Sequence, residues 1–176
     1  MIVWVSGLSG AGKTTLCEGI YRRIKPLVPE VVLLDGDSVR SAFGSDLSHS
    51  EADRRRQIKR IQGMTKVLVE QGLIVIIAVV YSHPDVQKWN RENLPNYFEI
   101  YLKASLDTVM GRDEKGLYAL AKEGKMPDLV GVDIPWHPPE ASDLVLSADD
   151  GTPPEVLQQR VIDALPLSLR ARIAAE

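Results

Sequence analysis

A single cysteine, Cys17, occurs among the 176 residues, so no disulfide can form within the chain. No apolar run approaches the ~20 residues that a membrane-crossing helix needs, and no internal repeat or low-complexity segment is visible. An excess of charge of one sign is also missing. The formal net charge of −3 gives no electrostatic reason to expect nucleic acid as a partner. The first residues run directly into the apolar segment 2–5, without the basic region or small-residue cleavage site of a secretory signal, and the expected compartment is the cytoplasm. What is there is ordinary for a globular protein: 44% hydrophobic and 26% charged residues. The length suits one domain over residues 1–176, large enough to bury its core without metals or disulfides. Cys17, four residues after Lys13 in an expected helix, reads as a small buried thiol.

Apolar runs at 2–5, 31–34, 73–80, 97–102 and 144–146 are bounded by turn residues and read as five strands. The run Leu73-Ile74-Val75-Ile76-Ile77 is apolar at every position, which suits a parallel sheet covered on both faces. Helical patterns lie between the strands at 13–24, 50–71 with Gly72 as stop signal, 85–92, 154–164 and 167–174. Alternating strand and helix predicts an α/β fold of three layers around a central parallel five-stranded sheet. Residues 112–139 break the rhythm with charge, three glycines and several prolines, and are expected to form a mobile lid.

The segment Gly7-Leu8-Ser9-Gly10-Ala11-Gly12-Lys13-Thr14 follows the first strand and opens the first helix. In that setting the spacing GxxxxGK[ST] curls successive backbone N–H groups around a phosphate and points a helix N-terminus at it. Gly7, Gly10 and Gly12 permit the curl. Lys13 can set its ammonium on the β- and γ-phosphates of ATP, Thr14 can give its hydroxyl to Mg²⁺, and Thr15 continues the helix. The motif is shared by GTPases, motor ATPases and small-molecule kinases, so it does not say where the phosphoryl goes.

The second strand ends in Leu34-Asp35-Gly36-Asp37-Ser38-Val39-Arg40, and the carboxyl ends of parallel strands form the ligand crevice. One carboxylate can accept the proton of an attacking hydroxyl while the other orients the metal. Asp37 is taken as base and Asp35 as metal organiser, with the reverse open. The structural alternative makes Asp37 an N-cap for the next helix and puts Asp35 in a tight turn. The strand 73–80 lacks the terminal acid that many P-loop NTPases place near the metal, which favours a kinase over a GTPase. Arg54, Arg55, Arg56, Lys59 and Arg60 share one expected helix, with Arg56 and Arg60 on one face and Arg55 and Lys59 on another. That pattern fits a solvated face, with an anionic substrate as the alternative for one or two of them. Arg112, Lys115, Lys122 and Lys125 add cations to the lid. His49 and His83 read as surface or packing residues, with hydrogen bonding to a substrate as the alternative, and Trp89 as a packing residue.

These residues resemble the adenylylsulfate kinase family, P-loop enzymes that phosphorylate the 3′-hydroxyl of adenosine 5′-phosphosulfate with MgATP. The resemblance rests on residues 7–15, on Leu34-Asp35-Gly36-Asp37-Ser38-Val39-Arg40, on Asp46-Leu47 and on Asp53-Arg54. It continues through residues 112–118 and Gly131-Val132-Asp133-Ile134-Pro135. It implies ATP and Mg²⁺ as cofactors and a homodimer. It implies catalytic or metal-organising roles for Lys13, Asp35 and Asp37, with Thr14 and Asp35 at the metal. Cofactor contacts are expected from Gly7, Ser9, Gly10, Ala11, Gly12, Lys13, Thr14, Thr15 and Arg112. Acceptor contacts are expected from Arg40, His49, Arg54, Gln57, Lys115 and Leu129.

The departures from the family cluster on the acceptor side. Ser38 and Gln57 each replace an asparagine. Tyr81-Ser82-His83-Pro84 replaces a segment that carries an arginine. His49 and Leu129 stand where the family has the two phenylalanines that sandwich adenine, a contact worth about 1–3 kcal/mol per base. The reaction type is therefore expected to be kept and the acceptor side to be altered: the loss of both stacking rings weakens the case for adenine, and adenylylsulfate remains the best single acceptor. The alternatives are another nucleotide, such as a modified cytidine diphosphate of surface-polysaccharide assembly, and a regulatory nucleotide-binding protein without catalysis.

Overall fold

The computed structural model describes residues 1–113 and 116–174. Five strands, β1 (Ile2–Ser6), β2 (Val31–Asp35), β3 (Ile74–Val79), β4 (Tyr97–Lys103) and β5 (Leu144–Ser147), form one sheet in the order β2-β3-β1-β4-β5. Every pairing is parallel. All residues of β1 and β3 are buried. Successive strand residues face opposite sides, so helices must cover both faces, as the apolar run at 73–77 implies.

The helices are α1 (Lys13–Ile24), α2 (Gly36–Ala42), α3 (Glu51–Glu70), α4 (Pro84–Asn93), α5 (Leu106–Arg112), α6 (Leu117–Lys122), α7 (Pro154–Ala164) and α8 (Leu167–Ile173). On one layer α1 packs against α7, burying Leu16, Cys17, Ile20 and Ile24. In the other, α3 lies on β3 and joins α4 through a 2.7 Å hydrogen bond from Gln62 Nε2 to Asn90 Oδ1. Cys17 is fully buried, and burial pushes its thiol pKa up, so it stays an unreactive core residue.

Local signals set the helix starts. Ser50 caps α3 by accepting from the Asp53 amide, and His83 caps α4 by accepting from the Asp85 amide with Pro84 at the first helical position. The second of these gives His83 a structural task. Trp89 is 37% exposed rather than packed, because α4 turns the fully buried Asn90 to the core and leaves its neighbour outside. The short helices α2, α5 and α6 are not separately resolved by the sequence pattern. The last lies inside the segment expected to be a lid.

Candidate active site

The loop between β1 and α1 reverses tightly, with Gly10 at φ 77° and Gly12 at φ 96°, a region that side chains rarely adopt. Gly7 is needed for a different reason. A Cβ there would lie 2.5 Å from the Leu102 carbonyl oxygen, a backbone atom that cannot step aside. The loop lines a cavity of about 530 Å³ together with Asp35, Asp37, Arg112, Tyr118 and the segment 151–154. That volume is of the size that holds a nucleotide. Ser9, Gly10, Ala11, Gly12, Lys13, Thr14 and Thr15 all line it, whereas Gly7 does not and instead packs on the Leu102 backbone. Lys13 is buried and its Nζ donates to the Leu8 carbonyl at 2.7 Å, which holds the ammonium within the loop.

Asp35 ends β2 and caps α2. Its Oδ1 accepts from the amides of Asp37 (3.0 Å) and Ser38 (3.1 Å), while its Oδ2 accepts from the Thr14 hydroxyl at 3.1 Å. The cap of α2 is thus Asp35 and not Asp37, because the helix begins two residues earlier than a cap at 37 requires. Asp37, in the first turn of α2, lines the large cavity and also a second, smaller one.

This second cavity, about 50 Å³, lies between α2, α3 and the end of β3, and its walls include Asp37, Arg40, His49, Arg54, Gln57 and Tyr81. Arg40 donates to the carbonyls of Leu47 (2.7 Å) and Ser48 (2.8 Å). Arg54 donates through Nε to the His49 carbonyl at 2.8 Å and through NH2 to the Asp128 carbonyl at 2.9 Å. Burial, then the charges of Arg54 and Arg40, press the His49 pKa below its ordinary value. Of the six basic residues on α3, Arg54 alone lines this cavity. Arg55 pairs with Glu51 and Asp85, Arg56 with Asp53, and Arg60 with Asp46, while Lys59 is exposed.

The segment expected to form a lid touches the phosphate loop at two places. Tyr118 donates its hydroxyl to the Ser9 carbonyl at 2.9 Å, and Gly131, at φ 92°, packs on Leu8 so closely that a Cβ would lie 2.9 Å from Leu8 Cδ2. Arg112 lines the large cavity while donating to the Ala148 carbonyl at 2.6 Å. Lys115 lies outside the described residues. Leu129 is 3% exposed in the core and lines neither cavity, as suits an aliphatic side chain with no aromatic face to offer a base. Two residues that motif reading did not single out also sit at the site. Tyr118 was legible within residues 112–118, and Tyr81 two positions beyond the end of β3. The Tyr81 ring stacks near-parallel on His83 at 6.4 Å, and His83 meets His137 edge-on at 5.0 Å.

A phosphate loop between β1 and α1, faced by Asp35 at the end of β2 and Asp37 at the start of α2 and bordered by a second, arginine-lined cavity, sets a donor beside an acceptor. That is the arrangement of a P-loop kinase. Residues 1–147 match the adenylylsulphate kinase family, and the chain belongs to it. The adenylyl-sulfate kinase of Vibrio parahaemolyticus is 37% identical over 159 residues, covering 89% of this chain and 78% of that protein. The probable adenylyl-sulfate kinase of Bacillus subtilis is 38% identical over 149 residues, covering 84% and 76%. Among solved structures, the Mycobacterium tuberculosis APS kinase CysC in complex with AMPPNP and APS matches with a TM-score of 0.85 at 30% identity, covering 93% of this chain and 96% of that one. A sugar kinase from Janibacter, 18% identical with a TM-score of 0.67, shares the fold.

Proposed function

We propose that this chain transfers the γ-phosphoryl of MgATP to the 3′-hydroxyl of adenosine 5′-phosphosulfate. One observation carries the reading: Asp37 lies on the walls of both cavities, with the phosphate loop on one side and Arg40 and Arg54 on the other. The Asp37 carboxylate takes the proton of the acceptor hydroxyl as its oxygen bonds to the γ-phosphorus, and the bond to the β-phosphate oxygen breaks to release ADP. Lys13 exchanges the Leu8 carbonyl for phosphate oxygens and offsets the charge there. Arg40 and Arg54 hold the acceptor's phosphosulfate.

Thr14 and Asp35 suit Mg²⁺, a hard cation that takes oxygen ligands, few of them from protein and the rest from water and phosphate. When bound, it neutralises charge on the β- and γ-phosphates. Asp35 fits this better than proton transfer, since its carboxylate already serves Thr14 and the cap of α2. The same reading makes the protein a homodimer working in the cytoplasm, and light scattering checks the assembly.

The acceptor cavity, at about 50 Å³, must widen to admit a nucleotide, and the contact of Arg54 with the Asp128 carbonyl is the link that crosses to the lid. The rings on its wall are His49 and Tyr81. This favours a second reading, an acceptor with a smaller pyrimidine base. Coupled ADP release across adenylylsulfate, cytidine nucleotides and simple nucleosides tests both. Turnover confined to adenylylsulfate supports the first, and turnover of a cytidine nucleotide with none of adenylylsulfate replaces it.

A further inference from the structure

We propose that Gln57 and Arg60 are positioning residues, which fix the first turn of α2 and so the carboxylate of Asp37. The inference rests on the reading of Asp37 as the base. It departs from the expectation that Gln57 contacts the acceptor.

The helix α2 has seven residues and only Val39 is buried, so apolar packing gives it little anchorage, and so short a helix does not hold its shape unaided. It is held by polar ties. At its first turn the Gly36 carbonyl accepts from Gln57 Nε2 at 3.2 Å. The other end of the same amide, Oε1, accepts from Arg60 NH1 at 3.2 Å. The Gly36 oxygen can only accept and the guanidinium can only donate, so one orientation of the Gln57 amide satisfies both. Arg60 is itself fixed. It forms a two-pronged pair with Asp46, NH1 to Oδ1 at 3.0 Å and NH2 to Oδ2 at 2.6 Å, and its guanidinium lies 4.2 Å from the centre of the Phe43 ring.

A continuous relay thus runs from Asp46, in the α2–α3 connection, through Arg60 and Gln57 to the peptide that separates Asp35 from Asp37. Gln57 is 4% exposed, and both ends of its amide are engaged in this relay. A shift of about 1 Å in a reacting group can cost about 100-fold in rate, so a loose first turn would be felt in turnover.

Gln57→Glu keeps the shape and the Arg60 contact but sets a carboxylate oxygen against the Gly36 oxygen. Arg60→Ala frees the amide to turn. Two readouts are needed: steady-state kinetics on the acceptor that the wild type turns over, and backbone hydrogen exchange of residues 36–42. The expected result for Gln57→Glu is a fall in kcat of about 10- to 100-fold, with the acceptor KM within about threefold. Arg60→Ala follows in the same direction with a smaller loss, Arg60→Lys loses less still, and exchange over 36–42 quickens in each. A tenfold or larger rise in acceptor KM with kcat unchanged would make Gln57 a substrate contact and overturn the proposal. So would exchange unchanged from the wild type. If Gln57→Glu does not fold, the Arg60 variants decide by the same criteria. Failure of the wild type to turn over adenylylsulfate counts against the functional reading alone, since the exchange measurement needs no reaction.

Discussion

The Thr14 hydroxyl donates to the Asp35 carboxylate at 3.1 Å, joining the start of α1 to the end of β2 across 21 residues of sequence. The same carboxylate caps α2 through its other oxygen. One side chain therefore ties the phosphate loop to the helix that carries Asp37.

Asp35→Ala is expected to remove both ties. Loss of an N-cap costs about 1 kcal/mol, seen as a lower denaturation midpoint at unchanged slope. Asp35→Asn keeps an oxygen for the cap, so its stability loss is smaller. In that variant the Mg²⁺ concentration for half-maximal turnover rises, and a magnesium titration of ADP release checks it.

Tyr118→Phe deletes the one bond from the α6 tyrosine to the Ser9 carbonyl without changing the packing of the ring. A bond of this kind is worth about 1 kcal/mol net, or roughly fivefold in an equilibrium. The KM for ATP is expected to rise by about that factor with the thermal midpoint nearly unchanged. Equal KM values would show that this contact does not hold the loop for ATP.

Stability should depend on pH through His49. Its folded pKa lies below the ordinary 6.5 through burial and then the charges of Arg54 and Arg40. As pH falls, the unfolded chain takes up the proton first. The contribution of His49 to stability is therefore full above about pH 6.5 and is lost as pH drops toward the lowered folded value. Denaturation midpoints measured downward from pH 7 should decline less steeply in His49→Asn than in the wild type. The remaining slope includes His83, whose pKa is lowered in the same direction, chiefly by burial.

The donor half of the site was legible because it is local. Residues 7–15 carry the turn and the helix start in one stretch directly after β1, and residues 9–15 of it line the large cavity. The acceptor half depends on long-range placement. Arg60 shares a helical face with Arg56, as the four-residue spacing requires, yet its partner is Asp46, 14 residues earlier, which no periodicity reveals. Gln57 drew notice by its place after Asp53-Arg54, but only the packing of α3 on α2 shows both ends of its amide engaged. Asp35 and Asp37 were found together. The sequence takes Asp37 as base and Asp35 as metal organiser with the reverse open; the start of α2 adds that Asp35 caps the helix and Asp37 lines both cavities.

The most direct test of the account compares ADP release from MgATP by the wild type and Asp37→Asn with adenylylsulfate as acceptor. The wild type is expected to turn over, and the variant to lose about 100-fold or more in kcat, in line with removal of a general base, with ATP affinity within about threefold. Variant turnover close to the wild type, or weakened ATP binding as the main effect, would contradict it.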